Sequence, residues 1–471
     1  MHSSLRSCAI RQVRRTRGCC GALPKALAAS GADVLTITPL YALTDPARLR
    51  NRIIDDLQVE WLGARRTVGV WYSDHIGAPT FLLDAPEYFS RPGIYGYRDD
   101  HERFAFFSRA ALALLRRLGE APQVIHANDW QCGFAAVEAG GLRAVDPYFA
   151  RSRSLFSIHN LAYQGTFDSA ELPRLGFGSA AARDLFMMNG AASPMKAGLM
   201  ASDMLSTVSP RYALEIQTPE QGYGLDWLLR MRSNRLVGIT NGIDYDVWNP
   251  ATDPHLAAHY HANDLSGKRL CKLDLLRRLG LPEEADRPLI AMVTRLVDQK
   301  GLDLVRAASG SILETGAFFV VLGSGADEYE QFLQQWRDDA PHRIGIYKGF
   351  NEALAHQIEA GADIFLMPSL YEPCGLNQMY SMRYGTVPVG RATGGLDDTV
   401  AEFDRLCQTG NGFKFGRYDS FSMLESIYEA LYCYADPELW SVVRINGMRT
   451  NNSWPTAAGR YMDLYRAVTQ T

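Results

Sequence analysis

The sequence has no long apolar run, no paired cysteines and no surplus of one charge, and each absence removes a class of protein. No window is apolar for long enough to suggest a membrane-spanning helix. The eight cysteines (positions 8, 19, 20, 132, 271, 374, 407 and 433) are scattered and show no paired C-x-x-C spacing, so neither a disulfide framework nor a cysteine metal site is expected. Scattered thiols in a chain able to bury a large core point to a reducing, cytoplasmic setting. The formal net charge of −4 gives no general attraction to nucleic acid or to an anionic membrane. Residues 1–20 carry five arginines and no apolar segment, so no signal peptide is read there. A chain of 471 residues, 47% apolar and 21% charged, suits a soluble globular enzyme of one large or two medium domains.

The most informative stretch runs from 367 to 400, MPSLYEPCGLNQMYSMRYGTVPVGRATGGLDDTV. A strand-like run ends at Met367. Glu372-Pro373-Cys374-Gly375 turns into a helix carrying Leu376, Met379 and Met382, which Gly385 stops. Thr386 to Val389 is a second buried strand, and Thr393-Gly394-Gly395 a second glycine turn before another helix. Two helix N-termini behind two parallel strands offer free N–H groups to phosphate. Glu372 at the same mouth is read as an acceptor for sugar hydroxyls.

Elsewhere polar residues recur where buried strands end, the position at which open α/β sheets bind ligands. Arg295 closes one strand and Lys300-Gly301 precedes the next helix. Two cations there suit a departing diphosphate, although a solvated basic loop would look the same. His159 ends a strand in FSIHN and alone would pass for a structural hydrogen bonder. Asp129, in HANDW, reads first as a helix N-cap and second as half of a sugar-binding pair with that histidine. Cys374 has no neighbouring histidine and reads as a small packed residue. Asp244-Tyr245-Asp246 has the Asp-x-Asp form of metal-dependent sugar transferases but falls in a turn, so no metal site and no cofactor is expected.

These motifs together resemble the bacterial and plastid glycogen/starch synthase family of ADP-glucose-dependent glucosyltransferases. The similarity is carried by GALPKAL at 21–27, RPGIYGY at 91–97, HANDW at 126–130, FSIHNLAYQG at 156–165, GITNGIDYDVWNPATDP at 238–254, RLVDQKGLDL at 295–304 and the whole of 368–400. It covers almost everything from Gly21 onward. The resemblance implies an α/β GT-B fold, two facing Rossmann-like domains with a C-terminal helix returning to the first. The boundaries read as 1–243, 244–448 and 449–471. It implies that Arg295 and Lys300 hold the diphosphate and that Glu372 binds the donor glucose. The N–H groups of Cys374, Gly375 and Leu376 would lie near donor and phosphate. Gly394 and Gly395 would present the second helix end, His159 would contact the donor glucose, and Asp129, Asn241 and Tyr95 would line the substrate site. Tyr380 stands where many retaining GT-B enzymes have a second glutamate. The expected substrates are ADP-glucose and an α-1,4-glucan, with no nucleic acid or membrane partner. A glucan-binding homologue with impaired catalysis, and a transferase to another acceptor making maltose 1-phosphate, are the alternatives.

One departure stands out. The family opens with a strand and a Lys-x-Gly-Gly-Leu loop, which would fall with its lysine at Gln12 and its glycines at Arg14 and Arg15. None matches, and residues 1–20 show no strand run. Codons permitted for Leu5 to Cys19, read one base later, spell SEVAPFAKSGGLADV, the missing opening. The expectation is a short out-of-frame stretch that regains the frame near Gly21. Taken as written, the chain is expected to lack the first strand as well as the loop.

Overall fold

The computed structural model describes residues 6–10 and 19–470, and the chain divides into two compact units. The first comprises residues up to Gly242 together with Trp454–Thr471, and the second Ile243–Ser453.

The first unit is built on a nine-stranded sheet. From one edge its strands are Leu236–Gly238, Met204–Thr207, Arg153–Ile158, Val124–Asn128, Arg6–Ile10, Asp33–Pro39, Thr80–Asp84, Ala64–Ser73 and Asn51–Trp61. The pairings are parallel up to Thr80–Asp84, and the last two strands run antiparallel. The inner parallel strands are buried along their length (Val124–Asn128 throughout), as expected where helices cover both faces.

The expectation that residues 1–20 lack a strand is corrected here. Arg6–Ile10 is a strand at the centre of the sheet, with Cys8 opposite both Leu35 and Ile125. Two parallel neighbours supply the pairing that the local sequence does not advertise. Gln12, Arg14 and Arg15, where the lysine loop is missing, lie outside the described residues.

Helix Trp454–Thr469 belongs to this first unit. Its buried side chains Trp454, Ala458, Tyr461, Tyr465 and Val468 recur at three- and four-residue intervals and pack on Leu23, Leu27, Val34 and Leu155. Tyr465 reaches the fully buried His126, whose Nδ1 lies 2.9 Å from the phenol oxygen.

The second unit has a six-stranded, wholly parallel sheet in the order Ile344–Lys348, Phe318–Gly325, Leu289–Leu296, Ile364–Met367, Val387–Arg391, Phe413–Phe415. Ile290, Met292, Phe319, Val321 and Leu366 form the core on one face, while Ala291, Val320 and Phe365 belong to the cluster on the other. The sheet is therefore dry on both sides, and polar chemistry is confined to the strand ends. Among the described residues no helix is long and apolar enough to cross a membrane.

Candidate active site

In the second unit the residues singled out above converge at the carboxyl ends of Leu289–Leu296 and Ile364–Met367. They border a recess of about 210 Å³ lined by Arg295, Lys300, Ser369, Glu372, Gly375, Leu376 and Asn377, among others. Glu372 is only 7% exposed. Its Oε2 accepts from the Lys300 ammonium and from the Ser369 hydroxyl at 3.1 Å. Arg295 is exposed at the end of its strand and donates through Nη2 to Gln299 Oε1 at 3.2 Å. Gln299 in turn donates to the Tyr371 carbonyl at 3.1 Å, which ties the basic turn to the Glu372 loop. Lys300 is thus held by the acidic loop, whereas Arg295 is exposed and reaches Gln299 of its own turn.

Close backbone approach explains the glycines. Gly301 has φ 72°, and a Cβ there would lie 2.0 Å from the Pro368 carbonyl oxygen. At Gly394 (φ 46°) a Cβ would lie 2.0 Å from the Glu372 carbonyl oxygen, and at Gly395 1.9 Å from that of Cys374. The second glycine turn therefore lies directly against the first. The Gly395 N–H is taken by the Glu372 carbonyl at 3.0 Å, so it braces this loop.

The two helices that follow, Asn377–Arg383 and Gly394–Thr399, have seven and six residues. Free N–H groups therefore matter more here than a long helix dipole. The Gly375 and Leu376 N–H groups, both at the recess, have no hydrogen-bond partner among the described residues. Cys374 is buried and in no disulfide, consistent with a packing role. Asn377 Nδ2 donates to the Val293 carbonyl at 2.6 Å, and Arg391 to the carbonyls of Ser369 and Leu370. Sequence reasoning missed Ser369, Gln299, Asn377 and Arg391. Only proximity to Glu372 and Lys300 in the chain could have flagged the first two.

In the first unit Asp129 and His159 are brought together. The His159 backbone N–H donates to Asp129 Oδ1 at 2.8 Å, and the ring Nε2 lies 3.0 Å from Asn128 Oδ1. Asp129 occupies the N-cap position of the short turn Trp130–Cys132 but makes no side-chain capping bond. The N-cap expectation is therefore corrected: its carboxylate accepts from the main chain of His159. Asp129 also has φ 58°, a conformation costing a non-glycine residue roughly 1–3 kcal/mol and often found at functional sites. Trp130 packs against Gly165, where a Cβ would lie 2.1 Å from the indole ring. Tyr95 sits half-buried in the turn between Arg91 and Asp99, which form a two-pronged ion pair at 2.7 and 2.6 Å. Asn241 is buried beyond strand Leu236–Gly238. Asp244 accepts the Asp246 N–H at 2.9 Å and so serves its own turn.

Comparison with known proteins places these features in context. Residues 18–231 match the family described as starch synthase catalytic domain, and residues 278–438 that of glycosyl transferases group 1. A glycogen synthase of Anaeromyxobacter sp. is 46% identical over 95% of this chain and 94% of its own length. Glycogen synthase 1 of Geobacter sulfurreducens is 42% identical over 94% of this chain and 91% of its own. Among solved structures, the catalytic domain of starch synthase IV from Arabidopsis thaliana, bound to ADP and acarbose, matches over 100% of both chains with a TM-score of 0.90 at 34% identity. A sucrose-phosphate synthase from Thermosynechococcus elongatus, at 19% identity and a TM-score of 0.61, shares the two-domain GT-B fold.

Proposed function

Because the chain belongs to the glycogen and starch synthase family of glycosyltransferases, we propose that it transfers glucose from ADP-glucose to the non-reducing end of an α-1,4-glucan with retention at the anomeric carbon. The observation that carries the site assignment is the convergence of Lys300, Arg295 and Glu372 with two unpartnered N–H groups at one recess. The ADP and acarbose held by the Arabidopsis relative support the same pairing of nucleotide and glucan.

In this reading Arg295 and Lys300 take the diphosphate and neutralise the charge that grows as ADP leaves. The Gly375 and Leu376 N–H groups add uncharged donors beside them, and Glu372 accepts hydroxyls of the donor glucose. His159, its backbone held by Asp129 and its ring by Asn128, is read as a sugar contact, and Asn241 and Tyr95 as further ones. The acceptor's terminal 4-hydroxyl attacks the anomeric carbon, the bond to the diphosphate breaks, and a leaving phosphate oxygen takes the hydroxyl proton on the same face. No protein nucleophile and no metal or other cofactor are called for, since the two cations supply the positive charge. A glucan-building enzyme of this type is assigned to the cytoplasm.

The test is linkage and donor. Purified protein is given labelled ADP-glucose and a glucan primer, and the product is digested with an exo-enzyme specific for α-1,4 bonds. Release of the label as maltose supports the reading. Label that resists digestion, or faster incorporation from UDP-glucose, contradicts it.

A further inference from the structure

A second recess, of about 670 Å³, opens at the opposite ends of the same strands in the second unit. Pro288 and Asp363, which line it, immediately precede Leu289–Leu296 and Ile364–Met367, whereas Arg295 and Ser369 lie beyond their middles on the donor side. At about 3.3 Å per residue the two recesses are roughly 20 Å apart.

Four cations line this second recess, Lys268, Arg269, Lys272 and Arg444, against two carboxylates, Asp286 and Asp363. Three of the four are satisfied. Arg269 is paired with Asp286. Lys272 donates to Asp363 Oδ2 at 2.5 Å, to the Arg287 carbonyl at 2.6 Å and to the Tyr434 hydroxyl at 3.3 Å. Lys268 is buried and donates to the Ala360 carbonyl at 2.9 Å and to Thr386 Oγ1 at 2.8 Å. Burial pushes its pKa down to about 7, and the nearby Arg444 charge works in the same direction.

Arg444 is the exception. Its Nε makes one long bond, 3.4 Å, to the Trp440 carbonyl. Its two Nη groups have no hydrogen bond and no ion pair among the described residues, although the side chain is half-buried. One turn earlier on the same helix, Pro437–Arg449, the Trp440 side chain is 4% exposed, and its indole N–H is buried with no partner. Asp363 attracts Arg444 through space without bonding to it, and burial still costs the guanidinium more than that attraction returns. Arg444 lines a water-accessible recess whose basic side chains outnumber its carboxylates, while the Trp440 N–H is buried behind its wall. A planar two-pronged guanidinium matches the oxygens of a phosphate group.

We propose that this recess binds a phosphate group, with the Arg444 fork as its main contact, at a site separate from the donor site. Lys268 and Lys272 contribute field and no free donor. The phosphate could arrive as inorganic phosphate or as a phosphate ester of a sugar. The volume admits either, and the Tyr434 and Trp440 rings, edge to face with centroids 5.2 Å apart, form an aromatic border beside it.

The experiment is titration calorimetry on the full chain saturated with ADP, so that the donor site is filled. Inorganic phosphate, glucose 6-phosphate and glucose are added in separate runs. The expected result is binding of the phosphorylated probes, none of glucose, and about tenfold weaker binding in Arg444→Gln, the loss of one charge-assisted contact. Lys300→Ala, at the other recess, should leave it unchanged. Tighter binding of glucose 6-phosphate than of phosphate identifies a sugar ester; equal binding identifies free phosphate. Unfolding melts of Arg444→Gln without ligand separate lost binding from lost fold. The proposal is overturned if neither phosphorylated probe binds wild-type protein, or if binding disappears in Lys300→Ala and survives in folded Arg444→Gln.

Discussion

Lys300 donates to Glu372 across 72 positions of sequence, and the Ser369 hydroxyl meets the same carboxylate oxygen. Two side chains that sequence reasoning assigns to different parts of one substrate are thus each other's partner. The pairing holds the cation over the recess and keeps a largely buried carboxylate from standing alone. A diphosphate brings more negative charge than one carboxylate, so the account has Lys300 turn toward the ligand and release Glu372 to the sugar.

Breaking this pair should be costly in both directions. Removing one partner of a mostly buried ion pair leaves the other uncompensated, typically a loss of about 3–5 kcal/mol for fully buried pairs and less here, where Lys300 retains some exposure. Lys300→Ala and Glu372→Ala are each expected to lower turnover at least about tenfold. In denaturant melts the stability losses should not add: the double variant should lose less than the sum of the singles, with a coupling of about 0.5–3 kcal/mol. Strict additivity would show that the pair is not formed in solution.

The glycine turn gives a second expectation. A methyl group at Gly395 meets the Cys374 carbonyl oxygen at 1.9 Å, and backbone has to move to admit it. Gly395→Ala should therefore destabilise the protein by about 1–3 kcal/mol and depress activity further by shifting the Glu372 loop. Gly310, inside helix Ser309–Glu314 with nothing within 4 Å of a built Cβ, is the control. There Gly→Ala should be neutral or stabilising by about 0.5–1 kcal/mol. Equal melting temperatures for the two variants would refute the close packing.

A pH dependence follows from Glu359. Burial pushes its pKa up to about 8 from 4.5, while hydrogen bonding from Ser381 and the Lys268 charge oppose the rise. Between those two values the folded state binds more protons than the unfolded, so this group's contribution to stability is fully present below 4.5 and is lost as pH rises toward 8. Glu359→Gln mimics the protonated carboxyl. Its melting temperature relative to wild type should climb as pH is raised from 5 to 8, as followed by calorimetry at a series of pH values. A constant difference would mean that Glu359 is ionised throughout.

The opening segment gives a fourth expectation. Replacing residues 5–19 with SEVAPFAKSGGLADV restores the lysine loop that the family resemblance calls for. Loss of one positioned donor at a developing charge costs about 10²–10³ in turnover, so the restored chain should run faster by up to that factor, read as initial rates of glucose incorporation. Sequencing the start of the gene checks the same point independently, since the other reading frame must encode that peptide.

Much of the site was legible before the fold was known. Strand, break and glycine turn recur from Met367 to Gly395, and those signals are local. What could not be read was set by distant partners. The Lys300–Glu372 pairing joins separate strand ends. The Asp129 carboxylate turns to the main chain of a histidine thirty positions on, instead of to its own turn. Strand Arg6–Ile10 lacks an apolar alternation and is held by two neighbours. Strand Asn51–Trp61 went unread because only Leu57, Val59 and Trp61 near its end are buried, at period two, after a largely exposed start. It lies at the sheet edge, where one neighbour suffices.

The most direct measurement is the initial rate of glucose transfer from labelled ADP-glucose to glycogen, compared between wild type and Glu372→Ala under saturating primer. The account predicts incorporation by the wild-type chain and at most about one tenth of that rate in the variant, with its fold retained. Equal rates, or a wild-type chain that incorporates nothing, would contradict it.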